Sequence, residues 1–175
     1  MNDMMRLVEP LIPALRRYAG ALTRDPAEAD DLVQDCLERA VARWSQRRDG
    51  GDARTWLFTI LHNLFVSRVR QRARRGIHTP IEDASEAALM QAPAQEHVVR
   101  HRELMKAVAA LPPDQKSVLL LVTLEDMSYG AVAQVLGVPV GTVMSRLSRA
   151  RERLRLEIGG EGAERRPASF LRRVK

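Results

Sequence analysis

A chain of 175 residues holds one ordinary domain or two small ones, and its formal charge of +6, with a pI near 10.4, is carried by plentiful residues of both signs. That excludes a disordered polycation and points to an anionic partner. One cysteine, Cys36, excludes an internal disulfide and a thiolate metal cluster, and no window approaches the eighteen or so consecutive apolar residues of a membrane helix, so a cytoplasmic protein without membrane insertion is expected.

Helix formers dominate, Gly and Pro fall in clusters and nothing reads as a strand. The expected fold class is therefore all-α, with two small helical domains joined by a flexible linker. A first helix is predicted from Met5 to Thr23, with Leu7, Leu11, Ala14, Leu15, Tyr18 and Leu22 at helical spacing and Pro13 as a kink or an adjusted start. The next starts with Asp25 as N-cap and Pro26 in its first turn and runs to about Gln46. Its buried side is predicted to be Leu32, Val33, Cys36, Leu37, Ala40, Val41 and Trp44. Between Asp25 and Gln46 six acids face two arginines, a net charge of −4, so this helix should avoid DNA.

A third helix, from Ala53 to about Arg75, begins apolar with Trp56, Leu57, Ile60, Leu61 and Leu64 and ends in SRVRQRARR, the opposite polarity. Trp56 and Phe58 lie in the apolar part and are expected in the core. Residues 76–95 turn to Gly, Pro, Ala, Ser and acids without an amphipathic period, which marks a linker between domains at 5–75 and 96–158. In the second domain a helix from about Glu96 offers Val99, Leu104, Ala107, Val108 and Leu111 and stops at Pro112 and Pro113. Asp114 is placed as the cap of a further helix with Val118, Leu119, Leu121, Val122 and Leu124 on its apolar face. Residues 159–175 read as a basic, disordered tail.

The run SYGAVAQVLGVPVGTVMSRLSRARERL has helix-turn-helix spacing: Ser128 as N-cap, small Ala133 at the helix crossing, Gly137 four residues on at the turn, and Val143 in the second helix. Gly137 tolerates a positive φ, and Val132, Leu136, Val138, Val143 and Leu147 tie the two helices into a small core. On the second helix Thr142, Ser145, Arg146, Ser148, Arg149 and Arg153 fall near the outward side. They supply hydroxyls for phosphates and guanidiniums for guanine edges.

A helix-turn-helix alone does not separate one class of DNA-binding protein from another; the first domain does. DPAEADDLVQDCLERAVARW and TWLFTILHNLFVSRVRQRARR resemble region 2 of the extracytoplasmic-function (ECF) RNA polymerase sigma factors of the sigma-70 family. LPPDQKSVLLL, followed by an acid, S-Y, A-x-x-L-G-V-P-V-G-T-V and S-R-L-x-R-A-R, resembles region 4 of the same family. The resemblance covers about residues 7–75 and 96–157. It implies a protein that binds RNA polymerase core through clamp and flap, directs it to promoter DNA, and is held inactive by an anti-sigma factor. It assigns Asp31, Leu32, Gln34, Asp35 and Glu38 to polymerase binding. To the minus-10 strand it assigns Asn63, Arg68, Arg72 and Arg75 with the loop Gln46 to Arg54. Thr142, Ser145, Arg146, Ser148, Arg149 and Arg153 would then read the minus-35 element. Met144 departs from the family pattern, where Lys or Arg is common, and Ser148 is smaller than the residue often found there. LFTILHNLF resembles the branch that serves the general stress response in alphaproteobacteria.

The alternative is a stand-alone helix-turn-helix regulator, which would need a dimerisation element or ligand pocket in the first domain. No Walker loop, H-E-x-x-H or other catalytic constellation is present, so no enzymatic activity and no cofactor are expected. His97 and His101, four apart, lack a second pair of ligands, and no metal is expected.

Overall fold

The computed structural model describes residues 2–46, 51–75 and 95–159. Among them are eight α-helices and no strand: α1 (Asn2–Val8), α2 (Ile12–Thr23), α3 (Pro26–Ala42), α4 (Ala53–Arg74), α5 (Gln95–Ala110), α6 (Pro113–Thr123), α7 (Tyr129–Leu136) and α8 (Val140–Gly159). No single described helix is long and apolar enough to cross a membrane.

The predicted first helix is divided. Pro10 and Pro13 lack the N–H that an unbroken helix uses, so a 3-10 turn over Glu9–Leu11 separates α1 from α2. Leu7, expected inside, is exposed on the short α1. Arg24 closes α2 in the left-handed region at φ 62°, its N–H reaching the Gly20 carbonyl at 2.9 Å. Asp25 then caps α3 as expected, accepting from the N–H groups of Ala27 and Glu28 at 2.8 and 3.2 Å. α3 ends at Ala42 and the chain tightens into a 3-10 turn over Trp44–Gln46, which leaves Val41, predicted to be buried, 59% exposed. Trp44 packs edge-on against Trp56, ring centroids 5.8 Å apart. α4 starts from Asp52, whose carboxylate accepts from the N–H groups of Arg54 and Thr55 at 3.1 Å each, a cap that hydrophobic periodicity does not reveal.

Leu15, Tyr18, Leu22, Leu32, Cys36, Leu57, Phe58 and Leu61 close the core of this first half. Tyr18 and Phe58 tilt together at 5.5 Å. Cys36 donates its S–H to the Leu57 carbonyl at 3.5 Å, and burial pushes its pKa up to about 12, so the thiol is an inert core group.

In the second half α6 is the centre. All of Gln115–Val122 is buried, whereas periodicity gave this helix only one apolar face. Asp114 does not cap it: Pro112 holds the N-cap position without a side-chain bond, and Asp114 sits in the first turn. Leu124, expected inside, is 40% exposed just past the helix. α7 and α8 pack on α6, and α5 closes against α8. Ala107 and Leu111 are buried, while the Val99 side chain lies outside the described residues.

The two halves touch. α6 packs on α2 and α7 on α4, and the contact is polar at its centre. Glu125, just past α6, has no exposed side-chain surface and takes Arg17 of α2 on both carboxylate oxygens, at 3.3 and 3.1 Å. Arg54 of α4 reaches the same carboxylate at 3.5 Å and also donates to the Glu125 backbone carbonyl. Lys116, buried on α6, donates to the Leu22 carbonyl at 3.2 Å, and its burial lowers its pKa to about 8.

His62 of α4 sits in the first core with Nδ1 3.3 Å from the Tyr18 hydroxyl, and burial lowers its pKa to about 4. Its folded pKa lies below its unfolded value near 6.5, so the stability it permits is complete above about pH 6.5 and is lost as pH falls toward 4. Thermal melting followed by helical circular dichroism should show a falling Tm across that window, with a loss of about 3 kcal/mol at most. His62→Gln should flatten the fall; an unchanged slope would place the acid sensitivity elsewhere.

Candidate nucleic-acid interface

The turn between α7 and α8 is built as the sequence spacing requires. Ser128 caps α7, its hydroxyl accepting from Ala131 N–H at 3.2 Å. Gly137 stands at φ 64°, and the next N–H, of Val138, returns to the Ala133 carbonyl at 3.1 Å, a helix end that favours glycine. A Cβ at Gly137 would meet nothing within 4 Å, so backbone conformation and not space selects the residue. The chain then turns through 100° into α8, within the range of helix-turn-helix units. Val132, Val143 and Leu147 are fully buried between the helices.

α8 therefore stands out as a rod. Ser145, Ser148, Arg149 and Arg153 are exposed and Thr142 is half-buried. Arg149 and Arg153 pair with no acid among the described residues, whereas Arg146 does: its guanidinium lies 3.3 Å from Asp114, with 28% of the side chain exposed. Arg146 is thus a tethered group and not a free one. Val140 and Met144, 54% exposed, add an apolar edge to the start of the rod. Such an edge suits a thymine methyl group.

The basic end of α4 is less free than its composition suggests. Asn63 and Arg75 are exposed, but Arg68 pairs with Asp35 at 2.6 Å and Arg72 with Glu28 at 2.8 Å. The opposite polarities of α3 and α4 thus lock these helices together, and Asp35 is turned toward α4 instead of outward. Asp31, Gln34 and Glu38 remain exposed, with Gln34 donating to Glu38 at 3.1 Å. Leu32 has no exposed surface; it is a core residue that positions the helix and makes no contact with a partner from where it stands. Of the loop from Gln46 to Arg54, residues 47–50 lie outside the described residues, as do 76–94, the His97 side chain and the basic tail.

Sequence reasoning missed a groove of about 530 Å³ between α2 and α3, with Ile12, Val33, Leu37 and Val41 as apolar lining and Gln34 and Glu38 at the rim. Its signal in the sequence is Val41, a β-branched residue placed where a surface helix would ordinarily be polar. Among the described residues no group of three or more His, Cys, Asp or Glu side chains could hold a metal.

The model for the Sigma2 domain of PhyR matches residues 8–62 and that for sigma-70 region 4 matches residues 101–154. The chain is 38% identical over 156 residues to the ECF RNA polymerase sigma factor EcfG of Rhodopseudomonas palustris, covering 87% of this chain and 83% of that one. It is 37% identical over 145 residues to the RNA polymerase sigma-E factor of Streptomyces coelicolor, covering 83% and 80%. Among solved structures it is similar to the sigma factor RpoE of Bartonella quintana in complex with the anti-sigma factor NepR, with a TM-score of 0.75 and 32% identity over 93% of this chain and 100% of that one. CnrH in complex with the cytosolic domain of CnrY shares the fold, with a TM-score of 0.68 and 22% identity over 92% and 90%.

The positive φ at Gly137 gives a direct test of the turn. Gly137→Ala should cost about 1 kcal/mol of stability by strain alone, read as a lowered urea midpoint at unchanged slope. An unchanged midpoint would mean that the turn adopts another conformation.

Proposed function

The chain belongs to the ECF family of RNA polymerase sigma factors, and from that membership we propose that it acts in the cytoplasm as an alternative sigma factor, binding polymerase core and directing it to promoters while the polymerase performs the phosphodiester chemistry. The observation that carries this reading is the joining of a complete helix-turn-helix to a second helical unit matched to sigma region 2 in one chain. A stand-alone regulator would carry a dimerisation element or ligand pocket there and not a unit matched to sigma region 2, so this alternative is set aside.

In this reading residues 5–75 form region 2, 76–95 the linker and 96–158 region 4. α8 enters the major groove of the minus-35 element, with Ser145, Ser148, Arg149 and Arg153 toward DNA and Thr142 at the edge. Arg146 joins them by leaving Asp114. An exposed ion pair contributes about 0–1 kcal/mol, whereas a bidentate guanine contact contributes about 1–3 kcal/mol, so the exchange favours DNA. Asn63 and Arg75 meet the minus-10 strand directly, and Arg68 and Arg72 set the local charge while holding α3. On the other face of region 2 the α2–α3 groove, rimmed by Gln34 and Glu38 and flanked by Asp31, takes the polymerase clamp. Its apolar lining, with Arg16 and Asp30 paired at its edge, fits a protein partner. Region 4 meets the flap. An anti-sigma factor is a further partner, a reading supported by the similarity to RpoE in complex with NepR.

Two sets of substitutions separate these faces. Arg149→Ala should lower promoter-specific initiation about tenfold, the equivalent of one lost base contact, while core binding stays unchanged. Gln34→Ala combined with Glu38→Ala should weaken core binding and leave binding of a minus-35 duplex intact. The readouts are run-off transcription and binding with purified bacterial core at fixed salt. Equal effects of both sets on both readouts, or sequence-specific binding to a palindrome without core, would overturn the assignment.

A further inference from the structure

The contact between the two halves has a construction that accidental packing lacks. Glu125 belongs to region 4, yet both cations on its buried carboxylate, Arg17 and Arg54, belong to region 2. Lys116 makes the reverse contact, carrying a region 4 ammonium to the Leu22 carbonyl in the last turn of α2, the end of a helix that attracts positive charge. Asp126, the next residue after Glu125, holds a φ of 50°, a sparsely populated conformation for a residue other than glycine, at the end of the turn that presents Glu125 to region 2.

Such a cluster selects one arrangement. A buried ion pair adds little net stability because both partners are well hydrated when apart, but any misdocked contact would leave an unpaired charge inside. The halves should therefore meet in this register or separate and rehydrate. In this register α7, which packs on the minus-35 helix α8, lies against α4, so the two promoter-binding helices are held within one closed particle. Promoter elements about 25 base pairs apart are separated by roughly 85 Å at 3.4 Å per step, whereas α4 from end to end spans only about 33 Å. The closed chain cannot engage both elements at once.

We propose that this sigma factor silences itself: without any partner, region 4 is latched onto region 2 through Glu125 with Arg17 and Arg54, and promoter recognition requires this latch to open. The meaning of the closed state as silent rests on the sigma factor reading; the closure itself does not. The open fraction sets the apparent affinity for any ligand that needs both regions, so core polymerase works against the latch.

The test uses the full-length chain, with small-angle X-ray scattering for its dimensions and run-off transcription at limiting core for its activity. Glu125→Lys places a third cation between Arg17 and Arg54, and Arg17→Ala removes the bidentate partner from the surface of α2, where region 4 folding is not at stake. The parent should scatter as a compact particle and both variants as extended ones. Both variants should initiate about tenfold more at limiting core, and the double variant should add little to either single one, because they break the same contact. Helical circular dichroism checks that Glu125→Lys remains folded. A parent already as extended as the variants, variants as compact as the parent, or opening without any gain in initiation would each overturn the proposal. If no protein, parent included, initiated with core, the sigma factor reading would fall, while the scattering would still decide whether the latch exists.

Discussion

A helix buried along eight successive residues needs partners for the polar groups it carries, and α6 is such a helix over Gln115–Val122. Val118 and Leu121 complete an apolar core with α7 and α8, but Lys116 and Ser117 are buried as well. Ser117 donates to the Pro113 carbonyl within α6, but Lys116 finds its partner in the Leu22 carbonyl on α2. Glu125 extends this dependence past the end of the helix. The docking of the two halves is therefore set by the need to satisfy buried polar groups more than by apolar area, which is non-directional and would accept several orientations.

Charge does two different jobs in the two regions. Between α3 and α4 it works locally: Arg68 with Asp35 and Arg72 with Glu28 are partly exposed pairs, each contributing little by itself, and together they fix how the basic end of α4 lies along the acidic helix. On α8 charge is left in reserve. Arg149 and Arg153 extend into water, and Arg146 rests on Asp114. The chain thus carries exposed guanidiniums on α8, whereas along the seam of α3 and α4 charges of opposite sign neutralise one another.

Much of this was legible in the sequence, and for reasons that can be named. The all-α class, the caps at Asp25 and Ser128 and the glycine at 137 all follow from local backbone chemistry, which acts within a few residues, although the division of the first helix at Pro10 reads in the sequence only as a kink or adjusted start at Pro13. The helix-turn-helix core was legible because Val132, Val143 and Leu147 lie close together in sequence and are all buried. What periodicity could not show depends on contacts distant in sequence. The buried face of α6 carrying Gln115, Lys116 and Ser117 looks polar until α2 covers it. Arg146 looks free until Asp114, 32 positions earlier, is brought beside it. Val41 was assigned inward because a stripe of apolar residues cannot distinguish a core from the lining of a groove. Leu32 was placed at a partner surface because it lies within a matched motif, and a motif records which residues recur without recording which way each one points.

The cross-strung ions at the junction also bear on how freely such proteins can be reassembled. Regions 2 and 4 look like interchangeable modules, each with its own helices and its own nucleic-acid element. Position 125 belongs to one module and positions 17 and 54 to the other, so a region 4 taken from a relative with a neutral residue there would arrive facing two guanidiniums with nothing to receive them. In lineage and in chimaera alike these three positions are expected to change together, and the pair of regions is inherited as a unit even though a linker divides it.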